Sequence, residues 1–334
     1  EYLIYQKPYN HYYSAPRKYH WYFDESFYGR HNYYQQGTLI KKEKIKTDLE
    51  GKAFFSFETP KDSGQDLKYS IEVRVVDQSR REISSSQEIK VTKNAFYAYL
   101  TPKHNLYRPG DKAEVDIKVL TANNDPVSVD GTITVSRNWW RDQVIKEGKV
   151  VAPNGYDETE LFTKFIKTDE KGEAVFSFEP ERDGYYVVKL TAFDDQANEI
   201  TSRANVFVCD KQSKDLGYRY GGIQIITEKD TYSIGETARV MVVTDKPGNW
   251  VLFTQEADEL FGYSLYGLEG TVKLVEFTVA DNYTPNIFLN VLSVENYQLK
   301  MHQLQLIVPP DEKFLNVKLV SDKEVYRPQE EGVF

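Results

Sequence analysis

The sequence predicts an all-β protein, a string of similar antiparallel β-sandwiches. Three observations predict it. One phrase occurs three times: Lys103-His-Asn-Leu-Tyr107-Arg-Pro-Gly110-Asp111, Lys229-Asp-Thr-Tyr232-Ser-Ile-Gly235-Glu236 and Lys323-Glu-Val-Tyr326-Arg-Pro-Gln329-Glu330. A phrase that recurs roughly every hundred residues marks the start of a repeated module. Alternating runs follow the first two copies, Ala113-Glu-Val115-Asp-Ile117-Lys-Val119 and Ala238-Arg-Val240-Met-Val242, with the period of two that half-buried strands require. Tyrosine is abundant, at 25 of 334 residues, while leucine-rich helical stretches are nearly absent. Aromatic and β-branched side chains suit a pleated surface.

The repeat has further parts. Lys46-Thr-Asp48-Leu-Glu-Gly51-Lys-Ala53-Phe-Phe55-Ser-Phe57 matches Lys167-Thr-Asp169-Glu-Lys-Gly172-Glu-Ala174-Val-Phe176-Ser-Phe178. Asp-x-x-Gly between extended runs is a tight-turn signal, the glycine taking positive φ. After each turn a strand is expected, with Ala53, Phe55 and Phe57, or Ala174, Phe176 and Phe178, on one face. Ile71–Asp77 then aligns with Val188–Asp194, and Gln87–Val91 with Ala204–Val208. In the opening phrase, Pro109 presets φ for the first central position of a turn and Gly110 permits positive φ at the second. Tyr107 is expected to cover a sandwich edge. Gln329 replaces the glycine in the third copy, so either that turn differs or its strain is absorbed elsewhere.

Boundaries follow from these alignments. A first module, 1–96, lacks its opening strands and carries an aromatic-rich insertion, 2–34. The second spans 97–214 and ends in the polar linker Asp210–Asp215. The third spans 215–311 and ends at Pro309-Pro310-Asp311. A fourth, 312–334, holds one strand, Phe314–Val320, and the third copy of the phrase. Each whole module is expected to hold about seven short antiparallel strands. The best helical candidate is Gln255–Phe261. Glu1–Tyr5 reads as the middle of a strand, so the chain is expected to be a fragment cut at both ends.

Composition narrows the function classes. Charged residues are 28% and hydrophobic residues 40%, as in globular rather than disordered chains. The formal charge of −9 serves solubility and argues against nucleic acid, which calls for basic clusters. Cys209 is the single cysteine, so no internal disulfide forms, and it reads as a small, half-buried thiol at a strand end. That is compatible with the cytosol or a bacterial envelope. No apolar run reaches the ~18–20 residues of a membrane span, and no signal peptide is visible.

Sharper chemistry finds little support. His11, His20 and His31 lie in the aromatic stretch with Asp24 and Glu25, but no His-x-x-x-His or cysteine pair accompanies them, so surface or loop histidines outweigh a zinc site. Asp194-Asp195 and Asp48/Glu50 fit turn capping better than calcium, which takes six to eight oxygens. Gly262-Tyr-Ser264-Leu-Tyr266-Gly267 misses the nucleophile-elbow spacing by one residue and lacks a strand–helix context. Phosphate loops, dinucleotide fingerprints and His-Glu-x-x-His are absent. Catalytic, cofactor-binding and metal-ligating residues are expected to be none, and so are cofactors. The aromatic stretch, with Trp21, Phe23, Phe27 and Tyr28, reads as a loop packed on its own module or a neighbour, a docking surface, or a carbohydrate platform. Trp139-Trp140 poses the same question.

Together the phrases resemble the macroglobulin modules of α2-macroglobulins, bacterial members above all. The opening Lys-x-x-x-Tyr-Arg-Pro-Gly-Asp and the inner Thr-Asp-x-x-Gly-x-Ala-x-Phe-x-Phe carry the resemblance. Asn282-Tyr-Thr-Pro285-Asn286-Ile-Phe288 is similar to the Pro-Asn strand of the module before the bait region, and Tyr2–Tyr34 to the tyrosine-rich insertion of bacterial homologues. The resemblance implies tandem macroglobulin domains, each an immunoglobulin- or fibronectin-III-like seven-stranded sandwich, resembling the third to fifth plus the start of the sixth. It implies a fragment of an endopeptidase inhibitor that traps proteases when a bait segment is cut. Target endopeptidases would meet parts outside this chain, other macroglobulin domains would pack on it, and its place would be the bacterial periplasm or envelope, with or without a lipid anchor, or outside the cell. The family's Cys-x-Glu-Gln thioester has no match, since Cys209 is followed by Asp210-Lys-Gln. The alternative reading is a cell-surface adhesion or glycan-binding array of immunoglobulin-like modules.

Overall fold

Alternating runs become strands here wherever a neighbour is available to pair. The computed structural model describes residues 1–22, 37–60, 64–77, 79–147, 149–315 and 317–332. Its regular structure is β-sheet, antiparallel except where Leu106–Tyr107 runs parallel to Phe207–Val208, with three single-turn 3₁₀ segments, and no α-helix occurs among the described residues.

The first unit is one sheet of β1 (Tyr2–Pro8), β2 (Thr38–Glu43), β3 (Leu67–Val76) and β4 (Glu82–Val91), ordered β2-β1-β3-β4. Tyr2, Ile4, Leu67, Tyr69 and Ile71 form its core. The strand expected at Ala53–Phe57 does not form. Its turn does: Asp48 Oδ1 accepts the Glu50 and Lys52 N–H groups at 2.9 and 2.8 Å. Phe55 still stacks on Tyr2 (4.0 Å between centroids, 11°) and Phe57 packs on Tyr69. The ladder partner is what fails, because the matching strand of the second unit pairs with a strand that has no counterpart among the described residues of the first. Phe54 is left 85% exposed.

The second unit holds β5 (Tyr97–Pro102), β6 (Leu106–Tyr107), β7 (Ala113–Leu120), β8 (Asp130–Arg141), β9 (Val144–Lys146), β10 (Lys149–Ala152), β11 (Gly155–Lys167), β12 (Glu173–Phe178), β13 (Gly184–Phe193) and β14 (Glu199–Val208). A sheet β12-β7-β5 faces a sheet β11-β8-β13-β14-β6, while β9 and β10 make a separate hairpin. The predicted alternation is realised: Ala113, Val115, Ile117 and Val119 point inward from β7, and Phe176 and Phe178 from β12, onto Val188, Leu190 and Val206.

The third unit holds β15 (Ile223–Thr227), β16 (Thr237–Thr244), β17 (Trp250–Glu256), β18 (Leu260–Gly267), β19 (Val272–Thr278), β20 (Asn286–Glu295) and β21 (Gln298–Ile307). Its sheets are β15-β16-β19 and β18-β17-β20-β21, a seven-stranded sandwich around Val240, Val242, Phe253, Ile287, Leu289 and Val291. The helix expected at Gln255–Phe261 is instead the bend between β17 and β18. Both strands ladder across it, from Trp250↔Gly267 to Glu256↔Leu260, and this pairing overrides a short local helical preference. Ser264 of the elbow-like run lies in mid-strand opposite Phe253.

The repeated phrase folds the same way each time. Arg108 O accepts the Asp111 N–H, Ser233 O the Glu236 N–H and Arg327 O the Glu330 N–H, at 3.1, 3.1 and 3.0 Å. The acid at the end of each turn accepts back from the first residue: Arg108 N–H to Asp111, Ser233 N–H to Glu236 and Arg327 N–H to Glu330. Gly110 and Gly235 sit at φ 85° and 86°, and Gln329 keeps that conformation at φ 68°. The third turn therefore does not differ. It carries the roughly 1–2 kcal/mol cost of a side chain there, with the same acid bond and a Lys323–Glu330 ion pair to hold it. In the two complete copies the tyrosine is buried, and its hydroxyl accepts a backbone N–H, from His104 and Lys229. Tyr107 also donates to Glu114 O.

The strand expected at Phe314–Val320 is not formed, and Leu315, Val317 and Leu319 are exposed. In the second unit the equivalent β5 gains its ladder from β7, after the phrase. No strand follows the third phrase among the described residues.

Candidate functional site

Two strands carry apolar residues on both faces at once. β13 opens Tyr185-Tyr-Val-Val188, and β16 reads Val240-Met-Val-Val243. A strand apolar on both faces is buried on both. Tyr186, Val188, Val240 and Val242 fill the sandwich cores. Their neighbours Tyr185, Val187, Met241 and Val243 fill a third cluster between the sandwiches, with Leu106, Phe207, Cys209, Leu216, Ile226, Val272 and Leu274. The outer face of the five-stranded sheet is thus sealed against the outer face of β15-β16-β19.

Polar contacts fix the register of this junction. Tyr185 stacks on Phe207 (5.4 Å, 15°), and Tyr218, just past the linker, meets both edge-on at 5.1 and 4.9 Å. The Asn105 N–H donates to Glu228 O at 2.9 Å, and the Thr271 N–H to Lys214 O at 2.7 Å. At the rim, Glu276 takes Arg108 at 2.7 Å and Lys211 at 2.8 Å. The Lys211 bond, with Arg108, holds its carboxyl below the usual range against a partial burial that opposes the shift. Cys209 lies in the seal, and burial pushes its thiol up to about 12. It is more deeply buried than the half-buried strand end expected, because it lies in the cluster between the two sandwiches with Phe207 and Leu216.

Trp139 and Trp140 grip the segment that follows the linker. Trp139 lies so close over Gly217 (φ 76°) that a Cβ there would come within 2.5 Å of its ring. Trp140 donates its backbone N–H to Gly217 O and packs edge-on against Tyr156, whose hydroxyl donates to Arg219 O.

The aromatic stretch crosses the second unit and reaches the third. Tyr9 donates to Ala122 O at 2.9 Å. His11 lies flat on Tyr97 (4.6 Å, 5°), its Nδ1 2.5 Å from the Tyr99 hydroxyl and its Nε2 3.1 Å from Asn124 Oδ1. Both ring nitrogens are thus engaged by protein groups. Burial raises the Tyr97 and Tyr99 hydroxyls, Tyr99 to about 12, and Asp66 adds to the rise at Tyr97. Farther on, Arg17 Nε lies 3.7 Å from Asp230 Oδ2. Tyr19 donates to Asp311 and stacks on Phe314 (5.6 Å, 17°). Gln305 Nε2 donates to Tyr22 O at 3.0 Å. Of the three readings of this stretch, packing on neighbouring units describes residues 9–22. Phe23, Asp24, Glu25, Phe27, Tyr28 and His31 lie outside the described residues.

The His11 contact has a pH signature. Burial lowers its pKa below the ordinary 6.5, and nearby Lys90 adds to that, although the Asn124 bond opposes it. The unfolded chain therefore takes up the proton more readily. The contribution of His11 to stability is fully present above about pH 6.5 and is lost as pH falls through the folded value. Hydrogen exchange of residues 9–13, corrected for intrinsic rate, is expected to speed up between neutral pH and about pH 5. In His11→Gln that acceleration is expected to vanish.

One aspartate of each acidic pair caps a turn, and Glu50 pairs with Lys52. Asp194 Oδ1 accepts the Gln196 and Asn198 N–H groups at 3.0 and 2.9 Å, as Asp48 and Asp169 do in their own turns. Among the described residues no group of three or more His, Cys, Asp or Glu converges as a metal site would, and no helix is long and apolar enough to cross a membrane. What the chain assembles is contact between units; the sequence offered the aromatic stretch as a loop packed on its own module or a neighbour, but did not point to the faces of the second and third units that meet. The two-faced apolar starts of β13 and β16 were the available signal.

The family model described as "Alpha-2-macroglobulin bait region domain" matches residues 223–333. An α2-macroglobulin of Ralstonia nicotianae is 21% identical over 301 residues, covering 87% of this chain and 17% of that protein. Among solved structures, the native conformation of Escherichia coli α2-macroglobulin is 12% identical, covering 92% of this chain and 20% of that one, with a TM-score of 0.31. Salmonella α2-macroglobulin reacted with methylamine is also 12% identical, covering 84% and 19%, with a TM-score of 0.30. The chain thus spans about a fifth of the length of these relatives.

Proposed function

We infer, from the bait-region-domain match over residues 223–333 and the 21% identity to an α2-macroglobulin over 301 residues, that this chain belongs to the bacterial α2-macroglobulin family and is scaffold from a protease trap, without a reactive centre of its own. The observation that carries this reading is the sealed junction, in which one sheet face of each of two sandwiches is spent on holding the other. A module that served as an independent binding unit would gain nothing from burying Met241 and Tyr185 against a neighbour. A frame that must position a distant segment gains rigidity.

The same reading divides the chain into macroglobulin-like domains at 1–96, 97–214 and 215–311, with a further domain beginning at 312. Its macromolecular partners are other macroglobulin domains and, through regions beyond this chain, target endopeptidases. It is not an enzyme. Its setting is the bacterial periplasm or envelope, or the cell exterior.

Entrapment leaves a protease's own active site intact but encloses it. The chain alone, mixed with an endopeptidase, is therefore expected to leave azocasein hydrolysis unchanged. A longer protein containing this chain is expected to suppress azocasein hydrolysis while sparing a small chromogenic peptide. Equal loss of both activities, or potent inhibition by the chain alone, would overturn the scaffold reading.

A further inference from the structure

We propose that residues 9–22 are a strap that couples the first unit to the exit of the third, so that the two ends of the chain order together. The path is continuous. It leaves β1, meets the turn after β7 through Tyr9, crosses β5 through His11 and Tyr13, touches the opening phrase of the third unit at Asp230, and ends on the segment after β21.

The far end is where the contacts concentrate. Tyr19 is buried, hydrogen-bonded to Asp311, stacked on Phe314 and packed edge-on against Trp21 at 5.9 Å, with Lys18 Nζ 4.5 Å over its ring. Tyr22 adds a second ring against Phe314 at 6.3 Å and accepts from Gln305. Tyr19 also holds φ at 61°. A bulky residue keeps that conformation only where its surroundings over-determine it. Here those surroundings are supplied from some 290 residues away in sequence, as the Tyr19–Asp311 bond records.

The exit segment depends on the strap in return. Beyond Phe314 the chain runs exposed, without a ladder, through Leu315, Val317 and Leu319. The short 3₁₀ turn Asp311–Lys313 meets the strap at both its start and the residue after its end. Coupling between two such segments is reciprocal: whatever loosens one loosens the other by the same free energy. The inference stands on this geometry and not on the protease-trap reading. If that reading also holds, an event beyond Phe314, in the stretch matched by the bait-region-domain model, would be felt at the first unit.

Hydrogen exchange measured by mass spectrometry on the 334-residue chain tests it. The amides of Tyr22, Asp311 and Lys313 each donate to a backbone carbonyl and serve as reporters. Phe314→Ala is expected to speed exchange over 17–22 about tenfold, and Tyr19→Ala to do the same over 311–314. Exchange in β7 and β16 should stay unchanged, which shows that both sandwiches remain folded. The result that overturns the proposal is an effect confined to the substituted segment, in either variant. Arg17→Glu, which places like charges beside Asp230, is expected to loosen 17–22 and 311–314 together by a smaller factor, and loosening of 17–22 alone would also count against coupling.

Discussion

Met241→Asp is expected to split the unfolding of the second and third units into two separate steps. Met241 is fully buried, yet it lies on the outer face of β16, between Ile226 and Leu274 on its own sheet and facing the second unit. The inward residues Val240 and Val242 are untouched, so the third sandwich keeps its core. The new carboxylate finds an apolar seal around Leu216 and Phe207, and an unpaired charge there costs several kcal/mol. The chain avoids that cost by undocking the two sheets. Calorimetry is expected to show one transition for the two units in the parent chain and two in the variant. Cys209 supplies a second readout, since its thiol is buried in the same seal and held up to about 12. Thiol reagents should react slowly with the native parent chain and quickly with Met241→Asp. Met241→Leu, which conserves volume, is expected to change stability by less than about 1.5 kcal/mol. A single transition with a protected thiol in Met241→Asp would show that the junction does not hold the units together.

Gly172→Ala is expected to destabilise the second unit by about 3 kcal/mol or more, and the matching Gly51→Ala to cost only about 1 kcal/mol in the first. Both glycines close an Asp-x-x-Gly turn at positive φ, 67° and 78°. Both turns carry the same aspartate cap. Only their surroundings differ. A Cβ on Gly172 would lie 2.3 Å from Val119 O and 3.1 Å from Val127 N, and a Cβ on Gly51 meets nothing within 4 Å. The Val119 N–H also donates to Gly172 O, so the clash displaces a ladder that holds β7. Urea unfolding of the two variants gives the comparison directly. Equal costs would mean that φ alone decides, and that the close approach to Val119 relaxes freely.

That pair of glycines separates what was legible from what was not. The Asp-x-x-Gly turns, the three opening phrases and the inward alternation of β7 and β12 are local, and they were readable because turn chemistry and a period of two act over a few residues. The third phrase was readable as a turn, but at Gln329 the sequence left two outcomes open; the fold decides for the glycine conformation, held by the acid and lysine of the same phrase. The expected strands at Ala53–Phe57 and Phe314–Val320 were not realised, although their patterns are sound. A strand exists only as a pairing, and neither finds its ladder partner among the described residues. The helix expected at Gln255–Phe261 yielded to the β17–β18 ladder for the same reason.

By itself, then, the sequence determined the modules: their β character, their opening turns and the faces that point inward. Those follow from backbone sterics and from hydrophobic periodicity, which each residue carries wherever it stands. Only the tertiary structure decided how the modules meet. Outer faces such as Tyr185, Val187 and Met241 show in sequence merely as apolar residues out of phase. Which of them seal together depends on two sheets arriving face to face. The contact of Tyr19 with Phe314 likewise depends on nearly the whole chain being folded between them.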